Sequence, residues 1–344
     1  MSQGTVDQLA QDLANRPLVA VTIETSLLLL IALTAFVGNL SVLYVLYKVP
    51  RLRSVTSYYL VTLSLSDVFA ATLVMPIAAT NSALGRDVFG DAACQIIGFI
   101  GYTLVFGSLQ TTTLIAVNRF FCVVKPILYR KYFKSKPTIL MIVGAWTFSI
   151  ANVGVVVASG MARFKFFPGR YCCMLSFPNS LSEKLFTAFA QLMFSVFPTT
   201  IVGLCYWKVF KVVKIHNENV SSTLNQGPGN RSLPRDETQI TKSVLALVCG
   251  FVVCWFPCAT VSQISAYMFV PRGVEMLFIF PAFLSSAVNP IVFNVFNKPF
   301  RQEFLRVFRL DRKEVRVVTV NPMSSVGHPG SITNESTQQT ALRR

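Results

Sequence analysis

Seven mostly apolar runs alternate with short polar segments along the chain, at positions 19–47, 58–84, 94–124, 138–162, 182–212, 240–269 and 274–296. An α-helix needs roughly 20 apolar residues to cross a hydrocarbon core, so the pattern predicts an all-α membrane protein, a bundle of seven transmembrane helices. The third run is the least uniform, being interrupted by Thr111, Thr112, Thr113 and Asn118. These side chains are predicted to face neighbouring helices rather than lipid. Beyond Phe296 the chain is too polar to span. Phe300, Phe304 and Phe308 recur there at four-residue spacing among Arg301, Arg306 and Arg309. That spacing predicts a short amphipathic helix on a membrane surface. The expected organisation is a polar N-terminus over 1–18, a helical domain over 19–297, the amphipathic helix over 298–310 and a disordered Ser/Thr-rich tail over 311–344. The Asn-, Ser-, Gly- and Pro-rich stretch 216–236 reads as a flexible loop between the fifth and sixth runs.

Composition supports a bilayer as the solvent. Of 344 residues 53% are hydrophobic and 13% charged, where soluble domains carry about a quarter charged residues. The net charge of +16 does not point to nucleic acid, because the cations sit in short segments between spans. Lys48, Arg51 and Arg53, then Lys125, Arg130, Lys131, Lys134 and Lys136, then Lys208, Lys211 and Lys214 fall on one side, with Lys298, Arg301, Arg306 and Arg309. The positive-inside bias therefore predicts an extracellular N-terminus and a cytoplasmic C-terminus.

No zinc-spaced cysteine pair occurs, and the two histidines, His216 and His328, fall in segments predicted to be cytoplasmic. Neither a metal centre nor a nucleophile–base constellation can be assembled, which argues against an enzyme. A multi-span transporter or channel is the alternative. It would call for repeats, broken helices and ionisable residues along a path. No repeat is evident, and Asp67 is the one acidic residue read as lying deep in a span.

Each run carries a distinctive polar, aromatic or proline residue. In order they are Gly38-Asn39, Leu63-Ser64-Leu65-Ser66-Asp67, Cys94 with Asn118-Arg119-Phe120 twenty-five residues on, Trp146, and Pro198 with Tyr206. The sixth has Phe251-Val252-Val253-Cys254-Trp255-Phe256-Pro257 and the seventh Asn289-Pro290-Ile291-Val292-Phe293. Together, over about residues 20 to 310, these resemble the signature of rhodopsin-like (class A) G-protein-coupled receptors. The third span is most similar to melatonin-receptor-like members.

The resemblance implies a heterotrimeric G protein and an extracellular ligand as partners, in the plasma membrane, with span six moving outward on activation. Arg119 would be the coupling residue, held by Glu237 at the base of span six, with Phe120 and Tyr206 nearby. Asn118 stands where the family has Asp, and Phe293 where it has Tyr, so a protonation switch and a hydroxyl are missing. Around Asp67 the resemblance gathers Asn39, Ser108, Ser285, Ser286 and Asn289, a set of oxygens suited to a sodium ion. From burial alone, a protonated Asp67 held by hydrogen bonds is the other reading. Leu109, Pro198 and Phe251 match a core trio, and Trp255 and Pro257 the bend of span six; simple packing is the alternative for these aromatics. Cys94 would pair with Cys172 or Cys173 in the second outer loop, the latter favoured by its distance to span five. The tail's Ser324, Ser325, Ser331, Thr333, Ser336, Thr337 and Thr340 offer phosphorylation sites for receptor kinases and arrestin.

Two departures narrow the ligand. Gly101 occupies the place of the aminergic Asp, and Phe283 that of the retinal-binding Lys, so neither an amine nor retinal is expected. The implied pocket, Gly101, Tyr102, Val105, Ala190, Gln191, Phe194, Cys258, Ser262, Ile279 and Phe283, is mostly apolar. It suits a small apolar molecule or the buried end of a peptide. Arg163, Lys165, Arg170 and Glu275 at the mouth would favour a charged peptide if they face the ligand, and are otherwise expected as solvated rim charges.

Overall fold

The computed structural model describes residues 3–223, 250, 252–296 and 298–308. A first helix, α1 (Gln3–Ala14), precedes the bundle. The bundle helices are α2 (Leu18–Lys48), α3 (Val55–Phe69) continuing through one wide turn into α4 (Met75–Leu84), and α5 (Gly90–Val124). After the short α6 (Pro126–Tyr132) come α7 (Ser135–Ala158) and α8 (Ser180–Gln191), the latter continuing through a second wide turn into α9 (Phe197–Thr223). Then follow α10 (Val252–Ser265), α11 (Arg272–Phe296) and α12 (Lys298–Val307).

Six stretches are long and apolar enough to cross a membrane: Leu18–Lys48, Val55–Leu84, Gly90–Val124, Ser135–Ala158, Ser180–Val212 and Arg272–Phe296. With the apolar α10 they make the seven-helix bundle expected from the sequence. Residues 240–249 of the sixth run lie outside the described residues. The fourth run ends earlier than its hydropathy suggests, because Gly160 at φ +73° turns the chain out of the helix.

The bundle is apolar on its outside. Leu29, Leu30, Leu33 and Val37 of α2 and Leu140 and Val143 of α7 are exposed, as lipid-facing side chains must be. Hydroxyls on the same surface satisfy themselves locally: Thr22, Thr34 and Ser41 each donate to the carbonyl four residues back. Polar side chains otherwise turn inward, including Thr111, Thr112, Thr113 and Asn118. Two glycines permit close approach. A Cβ on Gly38 would lie 2.8 Å from the Pro290 ring, and one on Gly107 would lie 2.9 Å from Trp146. Trp146 in turn donates to Thr111 Oγ1 at 3.2 Å.

One end of the bundle is covered by a hairpin, β1 (Arg163–Phe167) paired antiparallel with β2 (Cys172–Ser176). A disulfide joins Cys94 at the start of α5 to Cys173, leaving Cys172 as a free thiol. Gln95 grips the hairpin from below, donating to the Phe164 carbonyl at 2.6 Å and accepting from its N–H at 3.0 Å. The N-terminal segment, read from sequence only as polar, is largely helical and packs here too. Leu9 and Leu13 on α1 are fully buried.

Candidate functional site

A cavity of about 420 Å³ opens beneath the hairpin and runs into the bundle. All ten pocket residues named from sequence line it: Gly101, Tyr102, Val105, Ala190, Gln191, Phe194, Cys258, Ser262, Ile279 and Phe283. Its walls are aromatic. Phe106 and Phe194 stack at 3.9 Å, and Tyr102 meets Phe106 and Phe164 edge-on at 5.7 and 5.5 Å. Cys258 donates its thiol to the Cys254 and Phe278 carbonyls at 3.1 Å, so it is a satisfied small residue. Trp255 and Leu109 form the floor, packed in one cluster with Phe106 and Phe194. Pro198 is buried just past the wide turn of the fifth span and Pro257 is half-buried in α10. Phe251 lies outside the described residues.

Below that floor the same cavity reaches Asp67. Asn289 donates to its carboxylate at 2.7 Å, and Ser286 adds a second hydrogen bond. Asn39 donates to the carbonyls of Ala35 and Ser286, each at 2.9 Å, and so holds α11 against α2. Ser108 shares a 2.9 Å hydrogen bond with Ser66, a partner the sequence reading had not named. Ser285 donates to Ala282 within its own helix. Ser108, Ser285, Ser286 and Asn289 line the cavity beside Asp67, whereas Asn39 stands behind it.

At the α12 end of the bundle, Asn118 and Arg119 are both buried. The Thr56 hydroxyl donates to Asn118 Oδ1 at 3.1 Å, and the Arg119 guanidinium donates to Thr56 Oγ1. Tyr129 on α6 hydrogen-bonds to the same Asn118 and Thr56; burial, then Cys122, push its phenol above the ordinary range while those bonds pull it back. Glu237, the partner expected for Arg119, lies outside the described residues. Thr56 and Tyr129 were missed because a Thr and a Tyr near helix ends carry no distinctive spacing. Phe120 packs edge-on against Phe121 at 5.2 Å. Tyr206 and Phe293 are buried in one apolar cluster with Phe300.

The expectation of solvated charges at the cavity mouth fails for two of the four. Arg163 and Lys165 are exposed, but Arg170 and Glu275 are buried against one another at 2.7 Å. Ser265 donates to Glu275 and accepts from Arg170, while Arg170 lies 4.0 Å over the Phe278 ring. The hairpin turns Arg170 inward, so its charge must be matched there. Acidic groups are also buried near the ends of spans, outside the depth at which Asp67 lies. Glu24, near the hairpin end of α2, is buried with Arg272 at 3.0 Å, Tyr171 at 2.8 Å and Arg16 around it. Tyr171 has φ +56°, and burial with the Glu24 bond pushes its phenol up, keeping it a donor.

A seven-helix bundle with a disulfide-tied hairpin, a cavity and a buried Arg at the opposite end defines a class. The sequence matches the model of the 7 transmembrane receptor (rhodopsin family) over residues 38–293. The chain belongs to that family, and it is a multi-pass plasma-membrane receptor rather than an enzyme. It is 24% identical over 321 residues to neuropeptide FF receptor 2 of Mus musculus, covering 88% of this chain and 76% of that one. It is 26% identical over 286 residues to somatostatin receptor type 4 of Rattus norvegicus, covering 82% of this chain and 71% of that one. The fold is similar to the crystal structure of squid rhodopsin with a TM-score of 0.73 at 19% identity, covering 86% of this chain and 87% of that one.

Proposed function

We propose that this receptor couples an extracellular ligand to a heterotrimeric G protein, with the hairpin end and N-terminus outside and α12 and the tail inside. The observation that carries this reading is Arg119, buried at the α12 end, where its guanidinium donates to Thr56 Oγ1 and Thr56 in turn donates to Asn118 Oδ1. Outward movement of span six, with loss of the expected Glu237 contact, would expose Arg119 to the G protein. The loop cations beside α12 support the orientation.

The ligand enters the aromatic cavity. Gly101 and Phe283 both line it, so no side chain stands at either position to hold an amine by a charge or retinal by a Schiff base. A small apolar molecule or a peptide end remains, and neuropeptide and somatostatin receptors are among the relatives. Asp67 with Ser108, Ser285, Ser286 and Asn289 fits a sodium ion, because one carboxylate among neutral oxygens suits a monovalent hard cation. Its occupancy would hold α3, α5 and α11 together. Receptor kinases and arrestin are the proposed partners of the Ser/Thr tail, outside the described residues.

The test is second-messenger output in cells expressing the intact chain or Arg119→Ala at matched surface level. Output above control cells that disappears with Arg119→Ala supports the reading. Output unchanged by the substitution defeats it.

A further inference from the structure

The cavity has a roof that ligand contacts alone do not require. Val6 of α1 lines it from above, and Leu9 and Leu13 are 0% and 1% exposed against the bundle. Two residues beyond α1, Arg16 reaches back down. Its guanidinium donates to the Glu24 carboxylate and to the Ser82 carbonyl, and it lies 5.6 Å over the Tyr171 ring. Its side chain is 2% exposed. Glu24 simultaneously receives Arg272 from α11 and Tyr171 from the hairpin. One buried carboxylate thus ties together the N-terminal segment, α2, α11 and the hairpin.

Between the roof and the floor, Arg170 is matched by Glu275. Asp67 lies below the floor, with the neutral partners Asn289 and Ser286. Lys165 stays at the exposed rim, and Glu183 is engaged by a partner of its own. The remaining walls are largely aromatic and aliphatic. Between the rim Lys165 and the floor above Asp67, an ionised ligand group would shed its water without meeting an unmatched countercharge among the described residues, which is costly. An extended peptide would in addition have to displace Leu9 and Leu13 from their packing.

We propose that α1 is a latched roof, that the Arg16–Glu24 pair is its latch, and that the cavity beneath admits an uncharged apolar molecule rather than a peptide chain. This rests on the receptor reading for the cavity's role, yet its test needs no signalling. Gln191 lines the cavity and is replaced by cysteine in the full-length receptor, with Cys172→Ala and Cys258→Ala removing the native cavity thiols. Labelling rates are measured with three methanethiosulfonates, the uncharged methyl, cationic trimethylammonium-ethyl and anionic sulfonatoethyl reagents. Each is normalised to its rate with free cysteine and to the parent without Gln191→Cys.

The expected result is labelling about tenfold faster by the uncharged reagent than by either ion, with Arg16→Ala raising both ionic rates by about tenfold as the roof opens. Leu9→Gln, which loosens the roof without touching the ion pair, is expected to act in the same direction and serves if Arg16→Ala fails to fold. An ionic reagent labelling the intact receptor as fast as the neutral one overturns the proposal. So does a set of rates indifferent to both substitutions. A receptor that labels as expected but activates no G protein would keep the roof and refute the coupling.

Discussion

Arg170 Nε lies 2.7 Å from Glu275 Oε2, joining the hairpin tip to the first turn of α11 with both side chains buried. Removing one member of such a pair strands the other. Glu275→Ala is therefore expected to lower stability by about 3–5 kcal/mol, whereas Arg170→Met with Glu275→Leu recovers most of it. Thermal unfolding of the purified receptor checks this. A single substitution as mild as the double one would mean that the pair is solvated.

The bond from Arg119 to Thr56 makes a second prediction. Thr56→Val removes the hydroxyl that joins Asn118 to Arg119, a bond to a charged group whose loss shifts a two-state equilibrium by about tenfold or more. Ligand-independent second-messenger output should rise accordingly. Asn118→Asp should do the opposite, since a carboxylate beside the guanidinium deepens its burial site. Equal output from all three receptors would remove Thr56 from the switch.

The adjacent cysteines should behave differently. Cys173→Ala removes the tie to Cys94 and is expected to cost about 2–5 kcal/mol and most surface expression. Cys172→Ala should be nearly silent. Burial, eased slightly by Arg170, pushes the Cys172 thiol up to about 12, so it stays protonated and slow to alkylate at neutral pH. As its folded value lies above the unfolded one, any stability linked to its proton is present at neutral pH and lost as pH rises towards 12. Rapid alkylation of Cys172 in the folded receptor at pH 7 would contradict this placement.

Gly98 faces the Phe164 ring that Gln95 fixes, and a Cβ there would overlap the ring. Gly98→Ala is expected to cost about 1–3 kcal/mol by overpacking, while Gly144→Ala, in open space, should be tolerated. Parallel melting curves of the two variants make the comparison.

Much of this architecture was written in short-range patterns. Apolar runs of spanning length marked the helices, and polar residues isolated within them, Asn39, Asp67 and Asn289, stood out because lipid tolerates them only with partners. The roof was not legible in the same way. α1 is short, and its Val6, Leu9, Ala10 and Leu13 stripe has amphipathic spacing without saying which surface it covers. Arg16, Glu24 and Arg272 sit at span edges, where a charge ordinarily marks the water interface. Only the fold brings these three together with Tyr171, across separations of up to 248 residues. Thr56 was hidden for a related reason. Its position in the first turn of α3 reads as helix initiation, and its contacts to Asn118 and Arg119 are 62 and 63 residues away.

The most direct measurement of coupling is guanine-nucleotide exchange on purified heterotrimeric G proteins reconstituted with the full-length receptor in lipid. Exchange faster than with empty vesicles, abolished by Arg119→Ala and increased by Thr56→Val, is the predicted result. Stimulated exchange that Arg119→Ala leaves intact would contradict the central role given to that residue.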